Sequence, residues 1–333
     1  MSKKLLRAGI TGVSKFHPNK ILTNADFEKM VDTSDEWIIE RTGIKERRIV
    51  EKGQAASHLA TEAGKLLLKK TGTSPKDIDL IIVTTVTPDM FFPSTACLVQ
   101  KNLGCEKAGG FDLIAACSGF VFGMSTAAHF IETGKYKKIM VIGVDVMSSI
   151  IDFTDRNTCV LFGDGAGAIL MEPIEDEKLG ILDCKMRVDG SGGEYLYMPG
   201  GGSLNPPTHE TVDKKMHYVH SEGRQVYKFA VSEMANVSIE ILERNGFTTK
   251  DLDVYIPHQA NLRIIESCAK RMNLPKEKVI INIEKYANTT SGTIPSCMAE
   301  AVQDGRLTKG KLVCCASFGA GFTWGATLLR WCY

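Results

Sequence analysis

The chain has 333 residues, enough for one large globular unit or two fused ones around a large core. Its 44% hydrophobic and 24% charged content excludes disorder, collagen-like repeats and a coiled coil as the main architecture. With 40 Lys and Arg against 39 Asp and Glu, the net charge of +1 gives no global field to attract nucleic acid or an anionic membrane, so neither is expected as a partner.

At the amino terminus, MSKKLLRAGITG has a basic start and then short apolar pieces broken by Arg7, Gly9 and Gly12, unlike the apolar stretch of a signal peptide. The longest apolar runs are strand-sized, far below the roughly 20 residues of a membrane-spanning helix. Continuous apolar runs at 78–86, 139–144, 279–283 and 311–316 predict strands covered on both faces, which is the α/β class. Residues 118–131 are apolar nearly all round and predict a helix buried at the centre. Residues 189–210, with DGSGG, PGGG and NPP, read as a loop-rich insertion. The ten cysteines form no C-x-x-C pair, and Cys314 and Cys315 are adjacent, so reduced thiols in a cytoplasmic protein are expected.

One pattern occurs twice. Residues 66–83 and 240–257 share a helix tail, a glycine, a Lys-Asp turn and an apolar strand, and Gly72/Gly246, Lys76/Lys250, Asp77/Asp251 and Asp79/Asp253 are each 174 apart. Ser118-Gly119 and Ser291-Gly292 follow at a spacing of 173, and Gly165-Ala166-Gly167 is echoed by Gly319-Ala320-Gly321. Three matches in one order indicate a duplicated chain. Each half is expected to alternate strands and helices and to close in a glycine-rich hairpin, with the halves at 1–175 and 176–333.

The sequence FDLIAACSGF puts Cys117 at a strand-to-helix junction, where unpaired N–H groups and the positive end of the helix dipole lower a thiol pKa and can hold an oxyanion. Taken alone, the position suits a buried structural thiol equally well. In YIPHQAN, His258 follows the end of a strand, the edge of the sheet where α/β sites form; a satisfied core histidine is the alternative. Asn288, in ANTTSG, lies in the turn that the repeat pairs with the Cys117 turn, and an N-cap would look the same. The glycine clusters at 163–167 and 319–325 are not dinucleotide fingerprints, because neither stands between a strand and a helix that leads to a further parallel strand.

Together DTSDEWIIERTGIKERR (residues 32–48), FDLIAACSGF, FGDGAGA, PHQANLRI, YANTTSGTIP and SFGAGFTWG, in this order and spacing along the chain, resemble the β-ketoacyl-acyl carrier protein synthase III family of the thiolase superfamily. The resemblance spans essentially the whole chain. It implies a thiolase-like five-layered αβαβα fold of two duplicated halves and a homodimer. The implied activity is an acyltransferase that condenses an acyl-CoA primer with malonyl-acyl carrier protein, with loss of CO2, to start type II fatty acid synthesis. No metal or resident cofactor is implied, since the substrates bring CoA and phosphopantetheine.

By the same resemblance Cys117 is the nucleophile, and His258 and Asn288 donate hydrogen bonds to the malonyl thioester carbonyl. The N–H groups of Cys117 and Ala320 form the oxyanion hole; Ala320 is often glycine in the family, so a requirement for positive φ would matter there. Trp37 and Arg156 sandwich the CoA adenine, with Arg41, Gly223 and Asn261 also on the CoA path. Phe92 and Phe318 belong to the acyl pocket, Phe92 reaching it from a dimer partner, and Arg263 and Lys228 dock the carrier protein. Two rivals use related chemistry. One is a Cys-His-Asn ketosynthase of secondary metabolism. The other is a cysteine α/β-hydrolase, which wants a glycine where this chain has Ala115 and an acidic residue where it has Asn288.

Overall fold

The computed structural model describes residues 6–333, so the first five residues of the amino-terminal segment lie outside it. Its framework is a pair of sheets. Across the first the order is Arg7–Phe16, Asp164–Ile174, Ile139–Val146, Leu80–Thr84, Gly109–Leu113; Asp164–Ile174 is antiparallel to both of its neighbours and the last three strands are parallel. The second repeats this order and sense with Gly180–Val188, Thr323–Arg330, Leu312–Gly319 and Val254–Pro257.

The strands Leu80–Thr84, Ile139–Val146 and Leu312–Gly319 are buried at every position, as continuous apolar runs require when helices cover both faces. Helices Ala56–Thr71 and Thr95–Leu103 cover the outer face of the first sheet, and Gly223–Arg244 and Leu262–Arg271 that of the second. Between the sheets lie Gly119–Glu132 and Thr293–Gln303, each touching strands of both. The layers therefore run αβαβα. Phe120, Val121 and Met124 of one central helix and Ile294, Cys297 and Met298 of the other join strand residues of both sheets in a single core.

Three expectations are corrected. Residues 279–283 do not form a strand: one parallel bridge joins Val279 to Tyr255, and the helix Ile283–Tyr286 begins directly afterwards. The Gln259 side chain takes over the backbone pairing there, donating to the Ile280 carbonyl (3.2 Å) and accepting from the Asn282 N–H (3.0 Å). Second, the turns Ala116–Ser118 and Thr290–Gly292 lead into the two central helices at a spacing of 174, so the counterpart of Cys117 is Ser291 and the 173 register slips by one. Both turns begin on a non-glycine residue at positive φ, Ala116 at 46° and Thr290 at 47°. Third, the glycine echo is not a structural one. Gly165 and Gly167 lie inside the strand Asp164–Ile174, whereas Gly319-Ala320-Gly321 end a strand in a tight hairpin. In the first half a long connection, residues 147–163, replaces the hairpin.

Candidate active site

Cys117 stands at the point where the strand Gly109–Leu113 gives way to the Ala116–Ser118 turn and the central helix. Side chains of the other half hold this turn. Ser317 donates to the Cys117 carbonyl (2.7 Å), Thr323 donates to the Ala115 carbonyl (3.0 Å), and Ser118 donates to the Thr323 carbonyl (3.0 Å). The thiol was expected to be acidified. Instead burial pushes Cys117 up to about 12, and the carboxylate of Asp145 acts in the same direction. At neutral pH the resting group is a thiol, so its attack on a carbonyl requires a base or a proton acceptor.

His258 follows the strand Val254–Pro257, and its N–H donates to the Ala316 carbonyl (2.8 Å), one residue from the serine that holds Cys117. The ring is fully buried, which lowers its pKa to about 3 and keeps the imidazole neutral. Its Nδ1 lies 2.7 Å from Thr293 Oγ1, while Nε2 is buried without a partner.

Asn288 is fixed by its backbone, which receives a bond from Gly163 N–H (3.1 Å) and gives one to the Leu161 carbonyl (3.1 Å). Its side-chain oxygen accepts from the Thr290 N–H (2.8 Å), so what the amide presents is its two N–H donors. The turn itself is anchored to the first half through Asp145. That buried carboxylate accepts from Thr290 Oγ1 and Ser291 Oγ on one side and from Thr85, Thr87 and the Val86 N–H on the other.

A cavity of about 150 Å³ opens at Cys117. Ala116, Thr290 and Ala320 border it beside the thiol, and its walls are apolar, from Val86, Met147, Ile150 and Phe162 in the first half to Leu196, Tyr197, Met198 and Val219 in the second. Sequence reasoning missed these wall residues. They come from separate segments with no shared spacing, and 196–198 lie in the stretch that read only as an insertion. Ala320 is not at positive φ; that conformation falls on Gly321 (136°), so the alanine methyl brings no backbone strain.

Two family models match the chain: 3-oxoacyl-[acyl-carrier-protein] synthase III over residues 111–190, which contain Cys117, and the C-terminal region of the same family over 242–331, which contain His258 and Asn288. A β-ketoacyl-[acyl-carrier-protein] synthase III of Koribacter versatilis is 57% identical over 98% of both chains. Its namesake in Chlorobaculum tepidum is 53% identical over 98% of this chain and all of the other. The chain belongs to the β-ketoacyl-acyl carrier protein synthase III family. The crystal structure of 3-oxoacyl-[acyl-carrier-protein] synthase III from Aquifex aeolicus, 44% identical, superposes with a TM-score of 0.91 over 97% of this chain and all of that one. The fold is accordingly the thiolase fold of this synthase family.

The other residues singled out for the family's substrates fall in three places. Trp37 lies on the helix Asp35–Thr42, capped by the Ser34 hydroxyl, with the Arg156 guanidinium 4.9 Å and that of Arg41 5.8 Å from its ring centre. Arg156 also pairs with the exposed Asp32 (3.2 Å). Asn261 joins this helix to the second half by donating to the Arg41 carbonyl (2.9 Å). Gly223 opens the helix Gly223–Arg244, and a Cβ there would meet nothing within 4 Å, so the fold itself does not demand glycine.

Lys228 and Arg263 are exposed on adjacent helices that are linked by a Tyr227–Ser267 hydroxyl contact (3.0 Å). The pocket expectations fare differently. Phe318 is not a wall of the cavity; its ring is drawn into an aromatic cluster with Phe322 (4.8 Å) and Trp324 (6.4 Å). Phe92 is 84% exposed and lies outside the cavity of its own chain.

Proposed function

We propose that the chain joins an acyl-CoA primer to malonyl-acyl carrier protein, releasing CO2 and CoA and giving β-ketoacyl-acyl carrier protein, the step that starts type II fatty acid synthesis. What supports this reading is a complementary pair of groups: a His258 ring nitrogen with no partner and an Asn288 amide whose oxygen is already engaged. Cys117 takes the acyl group, and the N–H groups of Cys117 and Ala320 steady the oxyanion. His258 Nε2 and the Asn288 amide then hold the thioester oxygen of the extender, so that the electron pair freed when CO2 departs is stabilised as an enolate. The enolate carbon attacks acyl-Cys117. A hydrolase gains nothing from a donor pair that stabilises an enolate.

The remaining residues distribute the substrates. Trp37, Arg41 and Arg156 grip the adenine end of CoA, Gly223 and Asn261 border the pantetheine path, and Arg263 and Lys228 receive the acidic carrier protein. The small apolar cavity takes the primer chain. The active form is a homodimer, because the strand Gly109–Leu113 is an open sheet edge next to the exposed Phe91, Phe92 and Ile114, a combination that a second copy would cover. No helix of the described residues is long and apolar enough to cross a membrane, and all ten cysteines are free, which suits a cytoplasmic enzyme.

The test is a rate panel of acyl-CoA primers with malonyl-acyl carrier protein, following β-ketoacyl-acyl carrier protein by mass. Condensation with a CoA primer supports the reading. Release of free acid from acyl-CoA, with no condensation product, would replace it by a hydrolase.

A further inference from the structure

We propose that Thr293 is a positioning residue that sets the ring tautomer of His258, holding a proton on Nδ1 so that Nε2 meets Cys117 as a proton acceptor. The proposal rests on the Cys117, His258 and Asn288 reading above. Thr293 is buried at the first turn of the central helix Thr293–Gln303, and its hydroxyl stands 2.7 Å from His258 Nδ1 and 3.0 Å from the Thr290 carbonyl oxygen. A hydroxyl has one proton, and a carbonyl can only accept. Both contacts are hydrogen bonds at once in a single arrangement: Thr293 donates to Thr290, and Nδ1–H donates to Thr293. A neutral imidazole has one N–H, so Nε2 then carries a lone pair, and it is the ring nitrogen left without a partner. The opposite tautomer would turn the Thr293 proton toward Nδ1 and leave the Thr290 carbonyl with the Thr293 backbone N–H alone, one hydrogen bond fewer in a buried site.

One turn thereby fixes two roles. The N–H of Thr290 engages the oxygen of Asn288 and leaves that amide as a donor, while the Thr290 carbonyl, through Thr293, leaves His258 as an acceptor. An acceptor is what Cys117 requires, since its burial keeps it a thiol. On acylation the S–H bond breaks and an Nε2–H bond forms. The electron pair stays on Sγ and makes the bond to the acyl carbon, and the CoA sulfur leaves with its own pair and takes a proton from solvent water.

The proton gained by Nε2 is retained as the extender brings its carboxylate, and then the enolate, into the site, because that negative charge offsets the burial that keeps the resting ring neutral. His258 now offers an N–H to the extender carbonyl beside Asn288, while Nδ1–H still points at Thr293. When the enolate carbon displaces Cys117, Sγ leaves with its electron pair and recovers that proton. The conversion of His258 from acceptor to donor thus needs no second proton source within the site.

The test joins a spectroscopic reading to two variants of the full-length enzyme. In ¹⁵N-histidine-labelled protein, with the His258 signals assigned by their loss in His258→Gln, Nδ1 should be the protonated nitrogen and Nε2 the bare one. A proton on Nε2 in the resting enzyme overturns the proposal. With acetyl-CoA as the probe, Thr293→Val, which removes the hydroxyl at nearly constant volume, should slow acylation of Cys117 about 10²-fold and displace its pH profile. Thr293→Ser should recover the rate to within a few-fold. Wild-type acylation in a folded Thr293→Val enzyme, with His258→Ala still blocking condensation, overturns the role of Thr293 and leaves the triad standing. Full condensation in both His258→Ala and Asn288→Ala would instead remove the reading on which the proposal rests.

Discussion

In the proposed mechanism Asn288 and Cys117 work in different half reactions, and their surroundings say why. The Asn288 amide is held by Thr290 as a pure donor, which is of use only once a thioester oxygen begins to carry charge. Asn288→Ala should therefore keep most of the acyl transfer to Cys117 and lose malonyl decarboxylation by about 10²- to 10³-fold; stopped-time mass spectrometry of the acyl-enzyme, set beside CO2 release, separates the two. His258 makes a second prediction. Its pKa falls from the ordinary 6.5 to about 3 on folding, so the folded state binds fewer protons in that window and stability is lost as pH falls through it. His258→Gln should give a shallower loss between pH 6.5 and 3 in urea unfolding, and an unchanged slope would show that this histidine does not titrate as a buried base. The chain junctions at which Cys117, His258 and Asn288 stand were legible because each is marked by its own motif. The protonation of Cys117 was not, because the sequence shows the helix terminus that acidifies a thiol but not the depth of burial that outweighs it.

At the scale of elements, the adenine end of the CoA site proposed above draws on two pieces far apart in sequence: the capped helix that carries Trp37, and the connection 147–163 that carries Arg156. These two side chains lie on each other, so an adenine sandwiched by them would have to part them. Trp37→Ala should raise the KM for acyl-CoA by roughly ten- to hundredfold, the worth of one stacked base, with little change in the maximal acylation rate. The KM for malonyl-acyl carrier protein should hold, and Arg263→Ala should show the reverse pattern; equal losses for both substrates in Trp37→Ala would make Trp37 a structural residue. Strands at 80–84, 139–146 and 312–319 were legible as apolar runs. The run at 279–283 misled because a side chain, Gln259, supplies the pairing that a strand would have made with backbone, and no pattern of apolar residues encodes that.

For the whole molecule, the catalytic arrangement depends on how closely the two halves approach. Asp145, on a strand of the first half, receives hydroxyls of the Thr290–Gly292 turn, and two residues earlier Gly143 lies so near that a Cβ on it would stand 2.3 Å from the Ser291 carbonyl oxygen. Backbone cannot rotate away from such a contact. Gly143→Ala should cost about 1–3 kcal/mol in urea unfolding and, by displacing the turn that orients Asn288, reduce decarboxylation more than acylation. Equal effects on the two half reactions would show that the turn adapts. The repeat at 174 made the duplication legible, and with it the opposition of the Cys117 and Asn288 turns. The meeting of Ser317, Thr323 and Asp145 across the halves was not, since each of these contacts joins residues more than 140 positions apart with no motif of their own.

The central claim is that Cys117 carries the acyl group. Intact-mass spectrometry after acetyl-CoA is added to the wild type and to Cys117→Ser tests it most directly. The account predicts one acetyl mass per chain on the wild type and none on the variant; a variant that labels as the wild type does would contradict it.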